Sequence, residues 1–330
     1  MGGSDDEGSS HDHNKKDKKH KKHKKHDDSD DSEKSDKSDK SEKSDKSDKS
    51  DKSGSEESYQ ESDGEYSEDS DSDSESYLRG YRVGKNSKKV HASHWAYEGP
   101  HGPEHWGELK PSYAVAKTGT CQSPIDLTNA ESSDGVEVSY NYKNSSMTVL
   151  NNGHTIQNNY APGSTLTING AAYELKQFHF HLPSEHTVDG QHRAMEMHLV
   201  HANAGGQLAV LGVFIEEGEE NQILAPIWNS LPPRPSNHSA AGTPPPTVVV
   251  PGEICASQLL PAENTMFRYS GSLTTPPCTE GVYWLVLQEP IHMGRAQITK
   301  FRKMFRFNNR PVQNINDRCL NTGDQLKCCQ

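Results

Sequence analysis

His179 and His181 lie two residues apart in Gln177-Phe178-His179-Phe180-His181, and His198 follows seventeen residues after His181 in Met195-Glu196-Met197-His198-Leu199-Val200-His201. The first run alternates strictly, as a strand does. Gln177, His179 and His181 therefore share one face, while Phe178 and Phe180 take the other. By the same rule Glu196, His198 and Val200 share a face. Two imidazoles two residues apart on a strand stand side by side and can grip one ion. His179, His181 and His198 then form a three-nitrogen set that leaves a fourth tetrahedral position open to water, the pattern of a catalytic zinc centre. A lone His-x-His is as readily a pair of polar residues on an exposed strand face. The surroundings decide between the two.

Ser184-Glu185-His186-Thr187 comes just after the pair, and Ser272-Leu273-Thr274-Thr275-Pro276-Pro277 lies far downstream. Together with Cys121-Gln122-Ser123-Pro124-Ile125-Asp126 and Asn151-Asn152-Gly153-His154, these runs resemble the alpha-class carbonic anhydrases, in the family's order, over roughly residues 91–318. The resemblance implies reversible hydration of carbon dioxide to bicarbonate and a proton, by attack of zinc-bound hydroxide. It implies Zn2+ held by His179, His181 and His198. Ligating imidazoles need an acceptor on their other nitrogen. By the resemblance, Gln177 serves His179, Glu196 serves His198, and a backbone carbonyl near Asn308 serves His181.

Glu185 and Thr274 match the family's gate, in which the carboxylate accepts the threonine hydroxyl proton. His154 occupies its proton-shuttle position, where an imidazole of pKa near 6.5 can relay protons either way. Tyr97, Asn152 and Gln157 match the solvent network. Val200, Val210, Leu273, Thr275, Val282 and Trp284 match the pocket for carbon dioxide. Cys121 and Cys278 match a pair that is bridged in extracellular and bacterial relatives. Cys255, Cys319, Cys328 and Cys329 have no family counterpart; a Cys319 pairing with Cys328 or Cys329 and a disulfide-linked oligomer both stay open.

The elements that must position these residues read as short strands separated by turns. Val136–Tyr142, Met147–Leu150, Thr155–Tyr160, Gln177–His181, Ala194–His201, Leu208–Phe214 and Val282–Leu287 carry strand patterns, and Thr165–Ile168 ends at Asn169-Gly170, a hairpin signal. Residues Arg295–Arg306 suit a helix. The expected fold is mainly β (α+β), a single domain with a large twisted, mostly antiparallel central sheet and short peripheral helices. The expected domain spans 77–318, with 319–330 as a Cys-rich extension. Within it, 231–251 holds seven prolines and reads as a surface loop, not a central strand.

Composition divides the chain in two. Residues 1–76 carry 15 Lys and no Arg against 26 Asp plus Glu, so most of the net charge of −12 belongs to them. The rest is close to neutral, which gives no electrostatic case for nucleic acid. No run reaches the 18 apolar residues of a membrane span. The first residues form no signal peptide, whereas six cysteines suit an oxidising compartment. The expectation is a secreted protein.

Residues 1–76 lack the apolar side chains that offset folding entropy and are expected to be disordered. They hold three Lys-Lys-His triplets (18–26), seven Ser-Asp/Glu-Lys triplets (32–52), and ten acidic residues with no basic one in 55–76. This tail is either a solvated spacer or a binder of calcium, mineral or divalent metal. A rival to the enzyme reading is an inactive or weakly active matrix protein in which the tail does the work; the retained His179, His181, His198, Glu185, Thr274 and His154 oppose it. Deleting residues 1–76 should leave the melting temperature and hydration rate nearly unchanged. Calorimetric titration of both forms with calcium and zinc separates the tail's two readings, since a passive spacer removes no binding when deleted.

Overall fold

The structure is a computed structural model describing residues 94–133, 135–236 and 242–328. The tail 1–76 and Cys329 lie outside the described residues. The strands are β1 (Glu131–Ser132), β2 (Val138–Asn141), β3 (Asn144–Asn151), β4 (Ile156–Asn159), β5 (Thr165–Ile168), β6 (Ala171–His181), β7 (Thr187–Val188), β8 (Gln191–His192), β9 (Met195–Ala202), β10 (Leu208–Gly218), β11 (Thr247–Cys255), β12 (Thr265–Ser272), β13 (Glu280–Gly294) and β14 (Asn321–Cys328). Twelve form one sheet, in the order β11-β3-β4-β6-β5-β2-β14-β12-β13-β10-β9 with β1 beside β14; β7 and β8 pair apart. The pairings are antiparallel except β1–β14, β10–β13 and β2–β14.

Strand β6 is the hub. It pairs with β5 through its first half, with β4 through its second, and with β9 along its other edge. Its register with β5 is set by Asn169 (φ 48°) and Gly170 (φ 80°), whose positive φ values make the tight turn that the sequence signalled. One face of the sheet carries the main core, where Phe178 and Phe180 pack with Met197, Leu199, Leu211 and Leu285. The helix Arg295–Met304 lies on that side and buries Ile298 and Phe301, with the Phe301 ring 6.4 Å from Phe180. Each such side chain contributes about 1.5–3 kcal/mol by leaving water. The opposite face carries a smaller apolar cluster of Val200, Val210, Phe214, Val282, Trp284 and Val286. Among the described residues no helix is long and apolar enough to cross a membrane.

Two expectations change. The proline-rich stretch is a loop only to Pro246; Thr247–Cys255 is the edge strand β11. Edge position tolerates proline. Pro251, which has no N–H to donate, falls with Gly252 in the irregularity between Val250 and Glu253, outside the ladder with β3. The segment set apart as a C-terminal extension supplies β14, flanked by β12 and β2 in the sheet. Leu326 is buried, and Asp324 pairs with the buried Arg268 at 2.5 Å. A strand spans about 3.3 Å per residue, so Cys319 and Cys328 stand near opposite ends of β14, far beyond bridging distance.

Truncation after Arg318 would remove β14 and leave Arg268 buried without its carboxylate, a loss of several kcal/mol. The melting temperature should fall by about 10 °C or more. A truncated chain melting like the full one would show that β14 is dispensable.

Candidate active site

The site is assembled by strand register. Gln157, His179, His198 and Gly212 lie opposite one another across β4, β6, β9 and β10. A second row, Gln177, Val200, Val210 and Trp284, runs across β6, β9, β10 and β13. A third sets His181 opposite Glu196. Two residues along a strand return the side chain to the same face, so these rows all open on the side away from the main core.

Each imidazole of the triad is fixed through the nitrogen it does not offer. His179 Nδ1 donates to Gln177 Oε1 at 2.9 Å, and His181 Nδ1 to the Asn308 carbonyl at 2.7 Å. His198 Nε2 donates to Glu196 Oε1 at 2.8 Å. All three partners are oxygens, so the lone pairs left over are on His179 Nε2, His181 Nε2 and His198 Nδ1. One nitrogen from each ring lies within 4.8 Å of the other two. Burial pushes His179 and His198 below the usual histidine range and His181 down to about 3, so the rings are neutral ligands near pH 7. His181 Nε2 is buried without a hydrogen-bond partner. A buried orphan lone pair facing two others is what a metal ion accounts for.

Glu196 is fully buried, which alone would raise its pKa. His186 and His198 instead hold it well below the carboxylate range. His186 is in turn tied to the Tyr269 hydroxyl at 2.7 Å. Burial pushes Glu185 well above the usual range, against the opposing pull of the Arg310 backbone N–H, which donates to Oε1 at 2.8 Å, and of the nearby Thr274 hydroxyl. A divalent cation held by the three histidines would add a further pull toward the ionised form. Glu185 Oε2 lies 3.5 Å from His181 Nε2. His154 stacks on Trp95, with centroids 3.6 Å apart. Burial, then His94 and Arg234, push His154 down to about 4, well under the ordinary value that a relay needs.

A family model described as eukaryotic-type carbonic anhydrase matches residues 101–323. A carbonic anhydrase of Nostoc sp. is 46% identical over 231 residues, covering 68% of this chain and 84% of that protein. One from Klebsiella pneumoniae is 44% identical, covering 70% and 92%. The solved alpha-carbonic anhydrase of Thermovibrio ammonificans, in complex with the inhibitor sulfanilamide, superposes with a TM-score of 0.65 at 44% identity, covering 70% of this chain and 99% of that one. The chain belongs to the eukaryotic-type carbonic anhydrase family. It is a zinc enzyme that interconverts carbon dioxide and bicarbonate, with His179, His181 and His198 positioned to bind the metal.

The carbonic anhydrase cavity is lined by the triad, and by Tyr97, Asn152, His154 and Gln157 on its polar side. Val200, Val210, Leu273, Thr275 and Trp284 line the apolar side with Thr274. Val282 does not reach the wall; it packs behind, in the cluster with Val200, Val210 and Trp284. Leu208 and Thr155 line the cavity although the sequence did not single them out. Leu208 stands two residues before Val210, so strand parity could have found it. Trp95, also not singled out, is the platform for His154.

The Cys121–Cys278 bridge is not formed. Both are free thiols, and Cys278 is buried, which pushes its thiol up to about 12. Hydrogen bonds join the two segments instead: Glu280 Oε1 accepts from Cys121 N at 2.7 Å and from Gln122 Nε2 at 3.0 Å, and Gln122 Nε2 also donates to the Cys278 carbonyl.

His198→Ala should lose most of the bound zinc, about one ion per chain. Glu196→Gln should keep zinc but bind it roughly 10–100-fold more weakly. Metal analysis against a competing chelator checks both. Full occupancy in His198→Ala would overturn the ligand assignment.

Proposed function

We propose that this carbonic anhydrase works through a Glu185–Thr274 gate and a His154 relay. When bound, zinc supplies a Lewis acid that lowers the pKa of a coordinated water from about 15.7 to roughly 7. Neutral imidazoles suit this, because an anionic ligand would weaken that acid. In this reading Glu185 accepts a hydrogen bond from the Thr274 hydroxyl, which leaves the threonine oxygen able only to accept from another donor. It therefore aims the attacking oxygen's lone pair at carbon and disfavours occupants that cannot donate. Val200, Val210, Leu273 and Trp284 hold carbon dioxide by shape, with no polar claim on it.

The observation that supports the reading most is the meeting of three imidazole lone pairs beside the buried Glu185 carboxylate, whose Oε2 lies 3.5 Å from His181 Nε2. His154 lines the same cavity. Stacked on Trp95 it accepts a proton poorly; turned toward water it regains a value near 6.5. The relay thus takes up its proton as it gains solvent.

We further read the chain as secreted. Oxidation would there close Cys121 with Cys278, whose segments Gln122 and Glu280 already hold together. The C-terminal cysteines would be open to bridges between chains, and the tail would collect calcium, mineral or other divalent metal. Six cysteines and the acidic, histidine-bearing tail support these readings.

His154→Ala should lower kcat about ten-fold or more, within the range for general acid–base groups, and leave kcat/KM for carbon dioxide little changed. Imidazole buffer should restore much of the loss. Thr274→Ala should lower both constants, since it disorients the attacking oxygen. If His154→Ala cuts kcat/KM as deeply as kcat and imidazole does not rescue it, His154 is structural.

A further inference from the structure

The segment after the helix Ala225–Asn229 lies against the loop that carries His154. Asn151 Nδ2 donates to the Pro232 carbonyl at 3.2 Å. A Cβ on Gly153 would sit 3.7 Å from Pro235 Cγ. Between those two contacts stands Arg234, in Pro232-Pro233-Arg234-Pro235. Proline fixes its own φ and drives the residue before it out of the helical region, so this strap is stiff on both sides of the arginine. The guanidinium carbon lies 5.3 Å from the centroid of Phe305, which is itself buried. An exposed arginine is ordinarily free to wander. Here a rigid backbone and an aromatic face hold its charge in one place, next to the 151–154 loop.

Among the described residues, the other groups that face His154 offer no counter-charge. From the N-terminal segment, His94 faces it at 6.0 Å and Tyr97 at 6.3 Å between ring centroids, and Trp95 is neutral. From the segment after the helix Arg295–Met304, Asn308 Nδ2 donates to the His154 carbonyl at 3.0 Å, and the Arg306 guanidinium turns to its own neighbour Phe307. Among the described residues, no carboxylate is one of these groups. The fixed cation acts on His154 in the same direction as burial.

We propose that Arg234 is a positioning residue of the relay, a fixed cation that disfavours a standing charge on His154 and keeps the ring ready to accept protons as the surroundings acidify. Hydration itself releases acid. A relay of ordinary basicity would fill as that acid accumulates, whereas one beside Arg234 stays open at lower pH. The inference rests on the reading of His154 as the relay.

The test uses the zinc-loaded full chain with isotope-labelled histidines, the His154 signal being assigned by its loss in His154→Ala. Arg234→Gln should raise the His154 titration midpoint by about half a pH unit, roughly three-fold in proton affinity. Arg234→Glu should raise it further, and Arg234→Lys should return it close to the parent value. High salt should shrink the differences, since the cation is exposed. The acid limb of kcat for hydration should move upward with the midpoint in Arg234→Gln, with kcat/KM at high pH unchanged. A midpoint that neither Arg234→Gln nor Arg234→Glu moves would overturn the proposal, as would a moved midpoint with an unmoved acid limb. If His154→Ala leaves kcat intact, the relay reading falls by itself, and the midpoints still report whether Arg234 sets the proton affinity of that ring.

Discussion

A carboxylate cannot stay ionised inside a sheet unless hydrogen bonds replace the water it has lost. Glu196 meets that demand with four donors. Oε1 accepts from His198 Nε2 and His186 Nδ1, and Oε2 from the backbone N–H groups of Glu185 and His186 at 2.8 and 2.9 Å. One buried anion thereby fixes the tautomer of the third metal ligand and the backbone of Glu185, the proposed gate carboxylate. Room for it comes from the neighbouring strand. Gly212 stands opposite His198, and a Cβ there would lie 3.0 Å from Glu196 Oε1 and 3.3 Å from a Val286 methyl. The glycine is needed for space and not for its backbone freedom.

The segment 308–310 provides the second set of ties. Asn308 accepts from His181 through its carbonyl and from Leu182 N through Oδ1, while its Nδ2 donates to the carbonyls of Phe180 and His154. Two residues on, Arg310 bonds Glu185 through its backbone, and Gln122, Ser123 and Ala116 through its guanidinium. Its charge lies 5.6 Å from the Trp106 ring centroid. A short extended stretch thus fastens the second ligand, the His154 loop, Glu185 and the N-terminal wall to one another. Such a network resists piecemeal change, since losing one member leaves another buried and unpaired.

Local periodicity made much of this legible. The parity of Gln177, His179 and His181 gave the shared face, and Asn169-Gly170 gave the hairpin. Likeness to the family supplied what parity cannot, such as the Asn308 carbonyl. β14 was invisible because Asn321–Cys328 buries little beyond Leu326 and owes its place to strands far away in sequence. β11 was hidden by its prolines, which local rules forbid in central strands and edge position permits. Val282 was misassigned because sharing a face with Trp284 does not say which side chain reaches the cavity. The effect of Arg234 on His154 depends on how a proline-rich strap settles against a distant loop, which no local pattern encodes.

The triad also bears on how the metal finds its site. Three imidazole lone pairs face one another, and His181 Nε2 is buried without a partner, which costs about 1–3 kcal/mol. Such a cluster would be expected to relax, yet every ring is held from behind by Gln177, Asn308 or Glu196, on the nitrogen that takes no part in ligation. Strand pairing orders those acceptors without help from the metal: Gln177 and Glu196 each lie two residues before the histidine they serve, and Asn308 is pinned by its backbone bond to Leu182 at 3.0 Å. The site is therefore preorganised, and little of the metal's binding energy is needed to order ligands. Instead it relieves the orphan lone pairs and adds to stability in proportion to occupancy, about 4 kcal/mol when free metal exceeds its Kd a thousand-fold. Orientation resides in the sheet, and the reactive charge is left to the ion.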